Sequence, residues 1–99
     1  MDEIQTFLEP EIDKINLMDS DIHQIEIDNI LQKLEPIIEV LLNKDFERLL
    51  NFLYRLDVSE TVVNHILFDN HGEKTSMLLS EAIIRRELLR RYCRVKYSK

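Results

Sequence analysis

Residues that favour turns are scarce in this chain, and their scarcity constrains the fold more than any other feature. The 99 residues include one glycine and two prolines. A β-rich domain of this length would need many more turn residues to connect its strands. We therefore predict an all-α protein, a small single-domain bundle over residues 1–99 with a modest core. It should contain about five helices, packed in an irregular orthogonal or up-down arrangement.

The most apolar part of the sequence, residues 34–68, is predicted to supply the core helices. Pro36 suits the first turn of a helix, because the N–H that it lacks would be unsatisfied there in any case. Asp45 and Ser59 each precede a run of apolar residues at helical spacing, where a side-chain oxygen can cap the helix. We expect three helices in this region: residues 36–43, 45–56 and 59–68.

The first of these helices has an unusually wide apolar arc. Between residues 36 and 43, only Glu39 is clearly polar. A short helix of this kind is either buried on most sides or lies in an interface with another protein. Its candidate partner-binding residues are Ile37, Ile38 and Leu42.

The N-terminal region is acidic and amphipathic. Its apolar spacing predicts a helix over residues 2–18, which Pro10 either kinks or divides, with Pro10 projecting away from the apolar stripe. After a linker-like acidic tripeptide, a second helix is expected over residues 21–34. Ile22 and Ile25 lie off its main stripe, and the alternating sequence IHQIEI would also suit a short extended piece.

A final helix, the longest, is predicted over residues 75–96, after a loop that contains the only glycine. Thr75 or Ser76 can cap it. Arg85 falls inside its apolar arc, where a desolvated guanidinium would need a carboxylate. Glu81, one turn earlier, is one candidate for that partner.

Charge is divided unevenly between the two ends of the chain. Residues 1–28 hold nine acidic residues and one basic residue, whereas residues 85–99 hold seven basic residues and one acidic residue. The overall net charge is −6. Two interpretations follow from this polarity: the ends pack side by side in one molecule, or one end binds a partner of opposite charge.

Four arginines on the C-terminal helix are the best candidates for a binding surface. Arg86, Arg90 and Arg94 form a row at i, i+4 and i+8, flanked by Arg91. Such a row can contact nucleic-acid phosphates or an anionic membrane surface. Because the net charge is −6 and the acidic N-terminal region can cover the row, we favour pairing with acids of this chain or of a second copy.

The sequence carries no strong signal for catalysis or for a metal or cofactor. One glycine cannot form a phosphate-binding loop. The three histidines, His23, His65 and His71, and the single cysteine lack the spacing of a zinc site. Cys93 has arginine neighbours that would favour a reactive thiolate, but a lone cysteine on an apolar helix face is more often a packing residue. We predict no enzyme activity and no cofactor.

These features lead to one predicted role and one alternative. A single cysteine excludes an internal disulfide framework, and no signal peptide or membrane-spanning run is visible, so a cytoplasmic location is expected. The predicted role is a protein–protein interaction module or small accessory subunit, with a protein partner or self-association. The alternative is a nucleic-acid-associated regulator that uses the basic C-terminal helix.

Overall fold

The computed structural model describes residues 3–13, 24–69 and 74–97, and these residues form α-helices and no strand. The five helices in the described part of the chain are α1 (Glu3–Asp13), α2 (Gln24–Lys44), α3 (Phe46–Arg55), α4 (Glu60–Phe68) and α5 (Thr75–Tyr97). The all-α prediction is confirmed, and α5 is the longest helix, with 23 residues. Residues 14–23 and 70–73, which include His23, His71 and the predicted acidic linker, lie outside the described residues.

Helix α2 is the central element of the bundle. Helices α1, α3 and α5 pack against it, and α4 packs against α5. One hydrophobic core receives side chains from all five helices, and its fully buried members are Ile4, Leu8, Ile12, Leu34, Ile38, Leu49, Leu53, Val63, Leu79, Ile83 and Ile84. Each such side chain stabilises the fold by about 1.5–3 kcal/mol relative to an exposed one.

The prediction that a helix starts at Pro36 is wrong, because α2 runs through this residue without a break. A proline inside a helix removes one backbone hydrogen bond and crowds the carbonyl four residues earlier. Here Pro36 and Gln32 are both exposed. Water can therefore satisfy the carbonyl of Gln32, while Leu34 and Ile38 remain one turn apart on the buried side.

The N-terminal helix also contains its proline instead of ending at it. Helix α1 continues through Pro10, which is exposed as predicted, so the chain is not divided there. Residues 24–27 are helical, which excludes the extended interpretation for that part of IHQIEI, while Ile22 lies outside the described residues. The buried stripe of α1 consists of Ile4, Leu8 and Ile12.

Helices α3 and α4 begin close to the predicted positions. Asp45 caps α3, since its Oδ1 accepts a hydrogen bond from the backbone N–H of Arg48 at 3.3 Å. Ser59 occupies the N-cap position of α4, but its hydroxyl makes no capping hydrogen bond. The prediction for Asp45 is confirmed in full, whereas Ser59 marks the start of α4 only through its backbone.

Helix α3 ends in a Schellman motif. The N–H of Val58 donates to the carbonyl of Leu53 at 3.0 Å, and the N–H of Asp57 donates to the carbonyl of Tyr54 at 3.0 Å. Asp57 takes the left-handed conformation, with φ 72°. Val58 and Leu53 are both buried, which supplies the apolar contact that accompanies this motif. The turn directs the chain from α3 into α4.

The start of α5 is held to α2 by polar side chains. The buried hydroxyl of Ser76 donates to Oε2 of Glu35 at 3.0 Å. Lys74 Nζ lies 3.3 Å from Oε1 of Glu35 and 3.1 Å from Oε2 of Glu39. Ser76 therefore does not cap its own helix as predicted, because its hydroxyl is directed to α2. Thr75, the other predicted cap, is the first helical residue.

Candidate interaction surface on the C-terminal helix

Arg86 supports the turn between α3 and α4. Its Nε donates to the carbonyl of Leu56 at 3.3 Å, and its Nη2 lies 3.6 Å from Oδ2 of Asp57. The carbonyl of Leu56 lies at the C-terminal end of α3, where a cation is favourable. Arg86 thus has a structural role, and a phosphate would have to compete with these contacts.

Glu87 is a buried carboxylate in the middle of the basic helix. It is 3% exposed, and its Oε2 and Oε1 accept hydrogen bonds of 3.1 Å from Arg90 Nη1 and Arg91 Nε. Arg91 also pairs with Asp13 of α1. Burial works against the charge of Arg91, but its hydrogen bonds to Asp13 and Glu87 outweigh burial and raise its pKa above the ordinary value. The only sequence signal for this cluster is one acid placed three and four residues before two arginines.

The arginine row is therefore mostly paired within the chain. Arg86, Arg90 and Arg91 each contact an acid of this molecule, and Arg91–Asp13 joins the basic C-terminal helix to the acidic N-terminal region. This is the pairing that the sequence favoured. Arg94 is exposed.

The apolar candidates on α2 face the chain's own core. Ile38 is 0% exposed, and Ile37 and Leu42 are partly buried and pack against the core. Burial on most sides, one of the two interpretations of this segment, accounts for Ile38. Val40 is the large hydrophobic residue of the segment that is exposed, with 53% of its surface accessible.

A groove of about 450 Å³ lies between α4 and α5. Its apolar lining consists of Val58, Val62, Ile66, Leu78, Ala82 and Leu89. Val62 on α4 and Leu89 on α5 are 43% and 50% exposed, so both walls offer apolar surface to a partner. A cluster of exposed apolar side chains that faces an open groove is typical of a binding surface.

A second groove, of about 190 Å³, lies on the opposite side of α5, against α2. Its apolar lining consists of Ile27, Leu31, Ile84 and Leu88. Glu81 and Arg85 line both grooves and so form a charged ridge between them.

The two charges of this ridge have no ion-pair partner among the residues that the structure describes. Arg85 is exposed, so the expectation of a desolvated guanidinium is wrong, although the residue lies between two apolar grooves. Within the described part of the chain, neither Arg85 nor Glu81 has a hydrogen-bond or ion-pair partner. The predicted pairing of Arg85 with Glu81 does not form, although the two residues are one helical turn apart.

The ridge belongs to a longer stripe on the outer side of α5. At spacings of i, i+3, i+7, i+10 and i+14, this stripe, here named the α5 seam, contains Leu78, Glu81, Arg85, Leu88 and Tyr92. Each of them is at least partly exposed, and Tyr92 reaches 44%. Alternating steps of three and four residues are the pattern of a helix that packs along another helix.

The remaining chemical candidates do not form a site within the described residues. His65 Nδ1 lies 3.4 Å from Oδ2 of Asp69, and both side chains are exposed. No group of His, Cys, Asp and Glu in this part of the chain could hold a metal ion. Cys93 is exposed, so the expectation that it packs on an apolar face is wrong. Among the described helices, none has both the length and the apolar content needed to cross a membrane.

Comparison of the chain with protein-family models, curated proteins and solved structures finds no match.

Proposed function

We propose that this protein is a protein–protein interaction module or small accessory subunit that binds a partner through the α4–α5 groove and the α5 seam. The observation that carries the proposal is the pair of half-exposed apolar residues, Val62 and Leu89, on facing walls of a groove of about 450 Å³. Burying these side chains against a partner would stabilise the complex by about 25 cal/mol for each Å² of apolar surface that is removed from water.

The charged residues at the groove support binding and not catalysis. Arg86 is held by Asp57 and by a backbone carbonyl. Arg85 presents a planar guanidinium with N–H donors and no acceptor. These groups can select the charge and orientation of a partner. We therefore propose no catalytic role.

The nucleic-acid alternative has less support. Three of the four candidate arginines already contact acids of the same chain, so phosphate binding would have to replace those ion pairs. Each phosphate contact would also make affinity depend on salt, with a slope of about −0.9 per neutralised phosphate on duplex DNA. Titration of labelled DNA and RNA at two salt concentrations tests the alternative, and an absence of binding at low salt would exclude it.

The interaction hypothesis is tested by quantitative capture from the native host with three forms of the tagged protein. Leu89→Glu places a charge in the groove, whereas Val40→Glu places the same charge on an exposed apolar residue of α2 that does not line it. We expect wild type and Val40→Glu to capture the same partner proteins and Leu89→Glu to lose them. If all three forms retain the same proteins in the same amounts, this surface is not the binding site.

A further inference from the structure

We infer that the partner on this surface is a second copy of the chain, with the two α5 helices antiparallel about a twofold axis that crosses the α5 seam at the level of position 83. This inference rests on the proposed function and assigns the occupant of the same surface. It starts from the ridge, where Glu81 and Arg85 carry opposite charges and have no partner within the described residues. Opposite charges that lack partners in this part of the chain and lie among apolar side chains favour a binding partner with complementary charges.

A twofold axis makes this ridge its own complement. In an antiparallel pair centred on residue 83, Glu81 of one copy faces Arg85 of the other, and the reverse contact forms by symmetry. A parallel pair in register would instead place the two Glu81 carboxylates together and the two Arg85 guanidinium groups together. The charge order along the helix therefore selects the antiparallel arrangement.

The same register aligns the apolar positions of the α5 seam. Leu78 of one copy comes opposite Leu88 of the other, again twice by symmetry. Ala82 lies beside the axis, where a small side chain lets the helices approach closely. The grooves on both sides of the ridge can each receive side chains of the second α5, as expected when helix ridges pack into grooves.

Charge exchange tests this pairing by molar mass from light scattering over a range of concentrations. Because Glu81 and Arg85 make no hydrogen bond or ion pair within the described part of the chain, their exchange should leave the monomer folded, which circular dichroism checks. Glu81→Arg and Arg85→Glu should each raise the dimer dissociation constant about tenfold or more, since each creates two like-charge contacts. The double variant with both changes should recover dimerisation, because it restores opposite charges in the antiparallel register only.

Cross-linking tests the direction of the helices. In the antiparallel arrangement, the two Cys93 residues are separated by about 30 Å along the helix axis, at a rise of 1.5 Å per residue. Two residues at position 82 are separated by only about 3 Å in the same direction. A short bis-maleimide should therefore join Ala82→Cys/Cys93→Ser chains efficiently and should not join wild-type chains through Cys93, which is exposed. Efficient linkage through Cys93 would indicate a parallel pair and overturn the inference.

The two proposals fail on different results. A wild-type chain that keeps the mass of one 11.9 kDa protomer up to about 1 mM, a weak-binding limit, overturns self-association. So does a dimer whose mass is unchanged by Glu81→Arg and by Leu89→Glu. In either case the proposed function stands only if capture still identifies a different protein that Leu89→Glu loses, and it falls if no such protein is found.

Discussion

The hydroxyl of Ser76 donates to Oε2 of Glu35 at 3.0 Å and ties the first turn of α5 to the middle of α2. Burial alone would raise the pKa of Glu35, but hydrogen bonds from Ser76 and Lys74, together with the charge of Lys74, outweigh it and lower that pKa below its ordinary value of 4.5. The α2–α5 contact, which positions the α5 seam, is therefore sensitive to acid.

Glu35→Gln should lower the free energy of unfolding at pH 7 and change its dependence on pH. Because the pKa of Glu35 is lower in the folded than in the unfolded protein, its stabilising contribution is complete above about pH 4.5. That contribution is lost as the pH falls through the folded value. Urea unfolding at pH 7, 5 and 3 should show wild type and Glu35→Gln converging toward low pH. A constant difference across this range would show that Glu35 acts by packing alone.

The left-handed residue at the end of α3 gives a second prediction. Asp57 has φ 72°, a conformation that costs residues with a Cβ about 1–2 kcal/mol and costs glycine little. Asp57→Gly should be more stable than Asp57→Ala by about 1 kcal/mol in urea unfolding. Asp57→Asn tolerates the same φ and removes only the charge, so it measures the ion pair with Arg86 separately. Equal stabilities for the glycine and alanine variants would contradict the left-handed turn.

The buried carboxylate of Glu87 gives a third prediction. Glu87→Ala leaves Arg90 and Arg91 without their shared acceptor, and removal of one partner of a buried ion pair costs about 3–5 kcal/mol. We expect about 2 kcal/mol here, because Arg90 is partly exposed and can be rehydrated. Asp13→Asn breaks only the outer contact of Arg91, at an exposed carboxylate, and should cost less than about 1 kcal/mol. If the two variants are equally stable, Glu87 is not the centre of the cluster.

Local sequence signals predicted the helices apart from the break expected at Pro36, but they did not predict the partners of the polar residues. Asp45 as a cap and the apolar stripe of α1 follow from the residues next to them in the sequence. Ser76 looked like a cap because its neighbours permit one, whereas its acceptor is Glu35, far away in the sequence. Which acid meets which base depends on how the helices pack, and helical spacing alone does not determine that.

The candidate surface was predicted only in part, because it too depends on how the helices pack. The pairing of the arginines with acids of the chain followed from the uneven charge, but the central role of Glu87 depends on its burial in the bundle. The spacing of residues along α5 defines the α5 seam, yet which stripe of this helix is left uncovered depends on where α2 and α4 pack. Arg85 was expected to be buried because it falls in the apolar arc of α5. A helical wheel does not show where α2 and α4 pack, and Arg85 lies on the part of α5 that they leave exposed.

Pro36 shows how tertiary packing overrides a local signal, and it gives the last prediction. The chain keeps α2 continuous through this proline because Leu34 and Ile38 are both buried on one side of the helix, while Pro36 faces water.

Pro36→Ala should restore the missing hydrogen bond to the carbonyl of Gln32 and raise the free energy of unfolding. Proline is less favourable than alanine by about 3 kcal/mol inside a helix, and its restriction of the unfolded chain offsets about 1 kcal/mol. We therefore expect a gain of about 1–2 kcal/mol in urea unfolding. Pro10→Ala is the matched variant in α1 and should act in the same direction. A loss of stability on Pro36→Ala would mean that α2 needs the local bend that proline provides, and that the core is packed around it.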